Sequence, residues 1–382
     1  MKNILFFYPE NPLLKQQGNN ARAFCLLEYF KAQNYQVDFV SLEQPDKENF
    51  TNTHLDTLKR KHLITNGWLL KRSKRSGIKY LLFSIKQKIS NLFNNKVSDF
   101  DRIRFGQGEE LALITKDKTY DIIIISYAYY HGFLKYLNTT PSKTIVDTHD
   151  FLTSQFQNHK QFNLGNYFSH EIQLLNDFDT VWAISSEEHY LYSQFLGDKV
   201  KLAPHVLEDN SSKINQVKSI DLIYVASDNS HNVKAAQWFF NNVYPLLNKD
   251  ITITVVGKIS QVIPDFKNVN KQSYVEDLSS LYQASRVSIC PMLTGTGLKI
   301  KVVEALSYAL PVVCNERGLD GLLNKTNNGC MVTNSETEFA AFIDQLLTDK
   351  KMYDKQSELA AEFFKQSFSK QSVYSKLNAS LK

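Results

Sequence analysis

Short apolar runs rich in β-branched residues alternate along the chain with longer stretches of helical periodicity. The runs at 3–8 (NILFFY), 36–42 (QVDFVSL), 121–126 (DIIIIS), 143–147 (KTIVD) and 180–184 (TVWAI) read as buried strands. Between the first two, Ala23, Leu26, Leu27 and Phe30 fall on one face of a helix over about 19–32. Strands that are apolar throughout and separated by helices predict a parallel sheet covered on both faces. The alternation pauses at the polar stretch 207–219 (LEDNSSKINQVKS) and then restarts. A second series of strands follows at 221–226, 251–257, 286–290 and 311–315, with helices beginning near Asn232, Val275, Leu298 and Ser335. The pattern predicts an α/β protein of two Rossmann-like parallel-sheet domains facing each other across a cleft. Ligands of such sheets bind beyond the carboxyl ends of the strands.

One stretch breaks the pattern. Residues 57–98 carry eleven Lys and Arg side chains and no Asp or Glu, with apolar residues such as Trp68, Leu69, Leu70, Phe83 and Ile85 interleaved. It reads as a basic insertion of about 45–100. Such a segment is either a solvated surface with one buried helical face or an amphipathic contact with an anionic membrane. The domain limits expected are 1–206 for the first domain and 207–363 for the second.

At 382 residues the chain exceeds the size at which one core usually stops growing, which agrees with two domains. The net charge of +5 is mild and concentrated in the insertion, and no nucleic-acid module is visible, so no nucleic-acid partner is expected. Four cysteines, at 25, 290, 314 and 330, form no CxxC pair. They read as buried thiols of a reducing compartment rather than a disulfide or metal framework. No run approaches the ~20 apolar residues of a membrane span. The expectation is a cytoplasmic protein, peripheral at the inner membrane face if the basic stretch docks there.

The chemistry concentrates at 294–313, TGTGLKIKVVEALSYALPVV. A loop after the strand ending at Cys290 would close with Gly295, Thr296 and Gly297, and glycines there let backbone N–H groups approach a ligand. The following helix start favours an anion such as phosphate. Val302, Val303, Leu306, Ala309 and Leu310 share its apolar face, while Lys301 and Glu304 project from the other side. Lys299, apolar-facing by angle, can reach forward from the first turn. A lysine here can neutralise a diphosphate, and a carboxylate can accept two hydrogen bonds from a vicinal diol such as a ribose. Lys301 and Glu304 could equally be an ordinary i,i+3 surface pair. In the first half, His149 follows a strand in VDTHDF (146–151), and Asp150 beside it could orient or charge-balance the ring, with Asp147 a weaker candidate.

These residues, with RGLDGL (317–322), YVEDLSSLYQASRVSICPM (274–292) and YVASDNSHNVKAAQWFFNNVYPLL (224–247), resemble the nucleotide-sugar-dependent glycosyltransferases of the GT-B fold. The resemblance is to the large retaining group 1 family, which includes sucrose-synthase-like and bacterial mannosyltransferase-like enzymes. It is looser in the first half, on the Gly18 loop with Arg22, VDTHDF and DTVWAISSEE (179–188).

The resemblance implies that Glu304 holds the donor ribose and that Gly295, Thr296, Gly297, Leu298, Lys299 and Lys301 meet the donor. It places backbone groups of Tyr274 and Val275 at the nucleobase, Gly18 near the donor phosphates, and His149 near the anomeric carbon and acceptor. Thr296 stands where the family carries a first Glu, and 226–235 lacks the family's Arg, whose charge Lys299 and Lys301 could replace. A helix at about 364–382 would cross back onto the first domain.

The implied reaction is retaining transfer of a sugar from a nucleoside-diphosphate sugar to an acceptor hydroxyl. The acceptor would be a glycan or lipid-linked sugar in surface polysaccharide, lipopolysaccharide or glycolipid synthesis. No metal and no cofactor beyond the donor substrate are expected. The competing expectation is a catalytically degenerate GT-B scaffold that binds a partner transferase.

Overall fold

The computed structural model describes residues 1–14, 18–43, 50–71, 77, 80–81, 83–85, 100–211, 217–295 and 297–381. They divide into two compact units, one of 1–184 with 188–203, the other of 185–187 with 204–381. No described helix is long and apolar enough to cross a membrane.

The first unit is built on strands β1 (Asn3–Phe7), β2 (Gln36–Leu42), β3 (Asn66–Leu70), β4 (Ile122–Ser126), β5 (Lys143–Asp147), β6 (Thr180–Ala183) and β7 (Val200–Leu202). They form one sheet in the order β3-β2-β1-β4-β5-β6-β7, every pairing parallel. Helices α1 (Gly18–Ala32), α2 (Asn52–Arg60), α3 (Gln107–Thr115), α4 (Leu152–Gln155), α5 (Leu164–Asn176) and α6 (Ser186–Leu196) connect them. Both faces of the central strands are buried, as continuous apolar runs require. Leu5, Phe7, Ile123 and Ile125 join one core, while Phe6 on the other face packs edge-on against Phe30 of α1 at 5.6 Å.

The lysine-rich stretch does not break this pattern where it begins. α2 and β3 extend the sheet by one more parallel strand paired with β2. Leu55 and Leu58 of α2 are buried, and Lys118 Nζ covers the Trp68 ring at 3.9 Å. The period was hidden because β3, NGWLL, is a short edge strand with a single fully buried side chain. Residues 72–76, 78, 79, 82 and 86–99 lie outside the described residues, and the membrane-docking expectation falls largely on them.

The second unit repeats the architecture with β8 (Ile220–Val225), β9 (Ile253–Val256), β10 (Val269–Gln272), β11 (Ser285–Cys290), β12 (Val312–Cys314) and β13 (Cys330–Val332). Their order is β10-β9-β8-β11-β12-β13, again all parallel. The helices are α7 (Ser230–Trp238), α8 (Ser279–Ala284), α9 (Ile300–Ser307), α10 (Glu336–Thr348), α11 (Lys350–Ser367) and α12 (Lys370–Ser380). Alternate residues feed separate cores on the two faces: Leu222 and Tyr224 join Phe339 and Ile343 of α10, while Ile223 joins Val302, Val303 and Leu306 of α9. Each such side chain contributes roughly 1.5–3 kcal/mol by burial, so α9 is held by its apolar face. Cys290 and Cys314 are sealed within this unit, whereas Cys25 and Cys330 are partly accessible.

α8 begins at Ser279, later than the expected start near Val275. The Asp277 carboxylate accepts from the Ser279 N–H at 2.9 Å, a local turn that competes with helix up to that point.

Candidate active site

In each sheet the strand order reverses beside the first strand, between β1 and β4 and between β8 and β11. These switch points are where an open α/β sheet takes its ligand. In the second unit, β11 ends at Cys290 and the chain passes through Pro291 into the glycine turn. Gly295 (φ 94°) and Gly297 (φ 77°) both adopt the left-handed conformation that side-chain-bearing residues avoid. Thr296 between them lies outside the described residues. The turn rests on α7: Thr294 Oγ1 is 2.8 Å from His231 Nδ1, and a Cβ added at Gly295 would stand 3.3 Å from that imidazole.

α9 starts at Ile300, not at Leu298, because Lys299 is non-helical (φ −86°, ψ 88°) and occupies the N-cap position. Lys299 is buried, donates from Nζ to the Gly297 carbonyl at 2.8 Å, and lies 3.8 Å from Asp320 Oδ2. Lys301 Nζ donates to Asn232 Oδ1 at 2.8 Å and stands 5.9 Å above the Tyr224 ring. Burial pulls both ammonium groups below the usual lysine range, Asp320 opposing this at Lys299 and the Cys290 thiol and Glu304 opposing it at Lys301. Both lysines therefore stand at one helix start, desolvated.

Glu304 lies one turn further on. It is partly exposed, and Tyr282 donates its hydroxyl to Oε2 at 3.3 Å. Burial pushes its carboxyl up to about 7, against the opposing pull of Tyr282 and Lys301. Tyr282 is held in turn by stacking on Tyr308, centroids 5.2 Å apart. Gly321 (φ 85°) brings the loop after β12 so close to the glycine turn that a Cβ there would meet Leu298 Cα at 2.6 Å. Tyr274 and Val275 lie in the segment after β10, with the Tyr274 side chain exposed.

In the first unit, Gly18 is the first residue of α1 and has no positive φ, so it is a helix-start glycine rather than a turn glycine. His149 lies two residues past the end of β5 and has φ 62°. Its Nε2 lies 2.9 Å from Asp147 Oδ2, close but out of line for a ring N–H, so the contact is chiefly electrostatic. The Tyr127 ring is stacked on it at 4.2 Å. Asp150 bonds instead with Gln155, and burial raises its carboxyl above the usual range despite the nearby His149. The carboxylate that touches the ring is thus Asp147.

Glu171 has a structural task. Its buried carboxylate accepts from the Leu152 and Thr153 N–H groups, the Thr153 hydroxyl and the Tyr192 hydroxyl, which caps the short α4 just after His149. Sequence reasoning missed Asn232, Tyr282 and Tyr127, and gave Arg22 no role. Among these only Tyr127 had a local signal, its place at the end of an apolar strand.

Solved structures share this architecture. Sucrose-phosphate synthase from Thermosynechococcus elongatus matches with a TM-score of 0.69 at 13% identity, over 99% of this chain and 98% of its own. HepE of Anabaena, in complex with UDP and glucose, matches with a TM-score of 0.67 at 14% identity, over 100% and 99%. Among curated proteins, an uncharacterized 44.6 kDa protein in the cps region of Klebsiella pneumoniae is 18% identical over 374 residues, 90% of each chain. The fold is GT-B, two Rossmann-like parallel-sheet units. Residues 219–349 match the family model Glycosyl transferases group 1.

Proposed function

We propose that the protein transfers a sugar from a nucleoside-diphosphate sugar to an acceptor hydroxyl, with retention at the anomeric carbon, in the synthesis of a surface polysaccharide. The observation that carries this reading is the turn at Gly295 and Gly297, sited at the switch point and followed by Lys299, Lys301 and Glu304 within two helical turns. N–H groups at the start of α9 and the two ammonium groups form a cradle for a diphosphate. Desolvated charges of this kind stabilise a departing anion more than they would in water. Glu304, when ionised, presents two acceptor oxygens to the ribose hydroxyls. HepE, bound to UDP and glucose, and the cps-region relative both favour this choice of donor and pathway. His149 is the residue proposed to meet the reacting sugar.

The test is a panel of UDP-, GDP- and other nucleoside-diphosphate sugars, scored by thermal stabilisation and slow donor hydrolysis. One donor should respond, and Glu304→Ala should lose that response. A protein indifferent to the whole panel would favour the non-catalytic scaffold. Because the lysines supply the counter-charge, donor binding should survive EDTA.

A further inference from the structure

β5 leaves the first sheet through Asp147, Thr148 and His149. The Thr148 hydroxyl donates to the Trp182 carbonyl (3.0 Å) and to Glu188 Oε2 (3.1 Å), anchoring the bend on β6. His149 then enters left-handed backbone, and its ring meets the carboxylate two residues earlier in the chain. That carboxylate is not free to turn. Arg22 of α1 donates from Nε to both oxygens of Asp147 (2.9 and 3.0 Å) and from Nη2 to Oδ1 (2.5 Å). Arg22 is 4% exposed and Asp147 fully buried. Burial alone would raise the Asp147 carboxyl, but Arg22, with His149, holds it well below the usual carboxylate range.

The other side of the ring is fixed as well. Tyr127, at the end of β4, also has positive φ (66°), and its N–H donates to the Asp147 carbonyl at 2.8 Å. Its ring lies 17° from parallel with His149. Two side-chain-bearing residues in left-handed backbone therefore face each other across neighbouring strands. Each such residue costs about 1–3 kcal/mol and persists where surrounding structure over-determines it, as at functional sites. A buried Arg–Asp pair alone would be weak evidence for anything beyond packing, and it would not require the strained ring beside it. The pair is also electrically neutral overall, so what the imidazole meets is the local field of the Asp147 oxygen 2.9 Å from Nε2 rather than a net charge.

We propose that Asp147, locked by Arg22, is a positioning residue for His149. It holds the imidazole against Tyr127 and keeps a proton on Nε2, which leaves Nδ1 as the nitrogen offered to substrate. This rests on the reading that His149 works at the reacting sugar. The role is distinct from that of Asp150, whose carboxylate is engaged by Gln155.

The test has one arm that needs no substrate. In protein labelled with 15N-histidine, the His149 ring should be the Nε2–H tautomer, and Asp147→Asn should redistribute the proton. The double variant Arg22→Gln/Asp147→Asn, which restores charge neutrality, guards against simple unfolding and should do the same. The second arm follows hydrolysis of UDP-glucose. Both variants should lose about 100-fold or more in kcat, the scale of a mispositioned acid–base group, with KM for UDP-glucose within about two-fold. A double variant that melts like the parent with an unchanged His149 tautomer overturns the proposal. Parent-like kcat in the double variant beside an inactive His149→Ala overturns the positioning role but keeps His149 as catalytic. An active His149→Ala overturns both.

Discussion

Lys301 Nζ is bonded to Asn232 Oδ1 at 2.8 Å, which ties α9 to the first turn of α7. Asn232 is itself buried, and its Nδ2 donates to Ser227 Oγ at 3.1 Å. The amide thus holds the lysine by the side opposite its own anchor. Asn232→Ala should destabilise the second unit by roughly 1–3 kcal/mol, the cost of leaving a buried donor unsatisfied, measured by urea unfolding. Lys301→Met takes the donor from buried Asn232 Oδ1 and should also cost roughly 1–3 kcal/mol of stability. Beyond that it should reduce nucleoside-diphosphate affinity about ten-fold or more in calorimetric titration, the loss of one charge-assisted hydrogen bond of ~1.5–3 kcal/mol.

Glu304 gives a pH signature. Its folded-state carboxyl is raised to about 7 by burial, above the ordinary value of 4.5. Between those limits the folded chain binds more protons than the unfolded one, so this group's contribution is fully present below 4.5 and is lost as pH rises through 7. Glu304→Gln should flatten part of that decline in Tm against pH. Glu188, also raised to about 7 by burial, accounts for a further part in the same window. Nucleotide affinity should run the other way, rising from pH 6 to 8 as Glu304 ionises. A parent-like rise in Glu304→Gln would disprove the ribose contact.

Gly321 should not tolerate a side chain. Its φ is 85°, and a Cβ would meet backbone at 2.6 Å. Gly321→Ala should cost more than about 1–3 kcal/mol, the strain of left-handed backbone alone, because the glycine turn must also move. Donor binding should fall with stability. Gly197→Ala is the control: φ is 58° with open space around it, so only the strain should be seen.

Glu171→Ala would strip four donors of one buried acceptor group. At ~1–3 kcal/mol for each unsatisfied group, loss of folding of the first unit is expected, read by circular dichroism. Glu171→Gln keeps an acceptor and should retain the fold with a lowered Tm.

The buried strands were legible because their signal is local. DIIIIS and KTIVD lie at sheet centre, and no helix of that length buries every side. Edge strands β10 (VNKQ) and β13 (CMV) escaped because three or four residues, half exposed, carry no periodicity. The glycine–lysine motif was readable since turn and helix are contiguous. The partner of His149 was misjudged for a physical reason. Asp150 was favoured as the adjacent residue, but positions i and i+2 share a side of an extended chain while neighbours point apart, and the His149 ring lies against Asp147. Arg22 lies 125 positions from that carboxylate, and only the parallel pairing of β1, β4 and β5 brings them together.

The sealed thiols of β11 and β12 make the second unit its own reporter. Cys290 is pushed up to about 11 by burial and Cys314 is also raised, its largest cause a hydrogen bond with Cys330, so neither is a ready nucleophile while the sheet is intact. An alkylating probe should capture Cys330 and Cys25 early and these two only when strands part. Mass spectrometry of the modified peptides would then time the opening of that lobe without any introduced label.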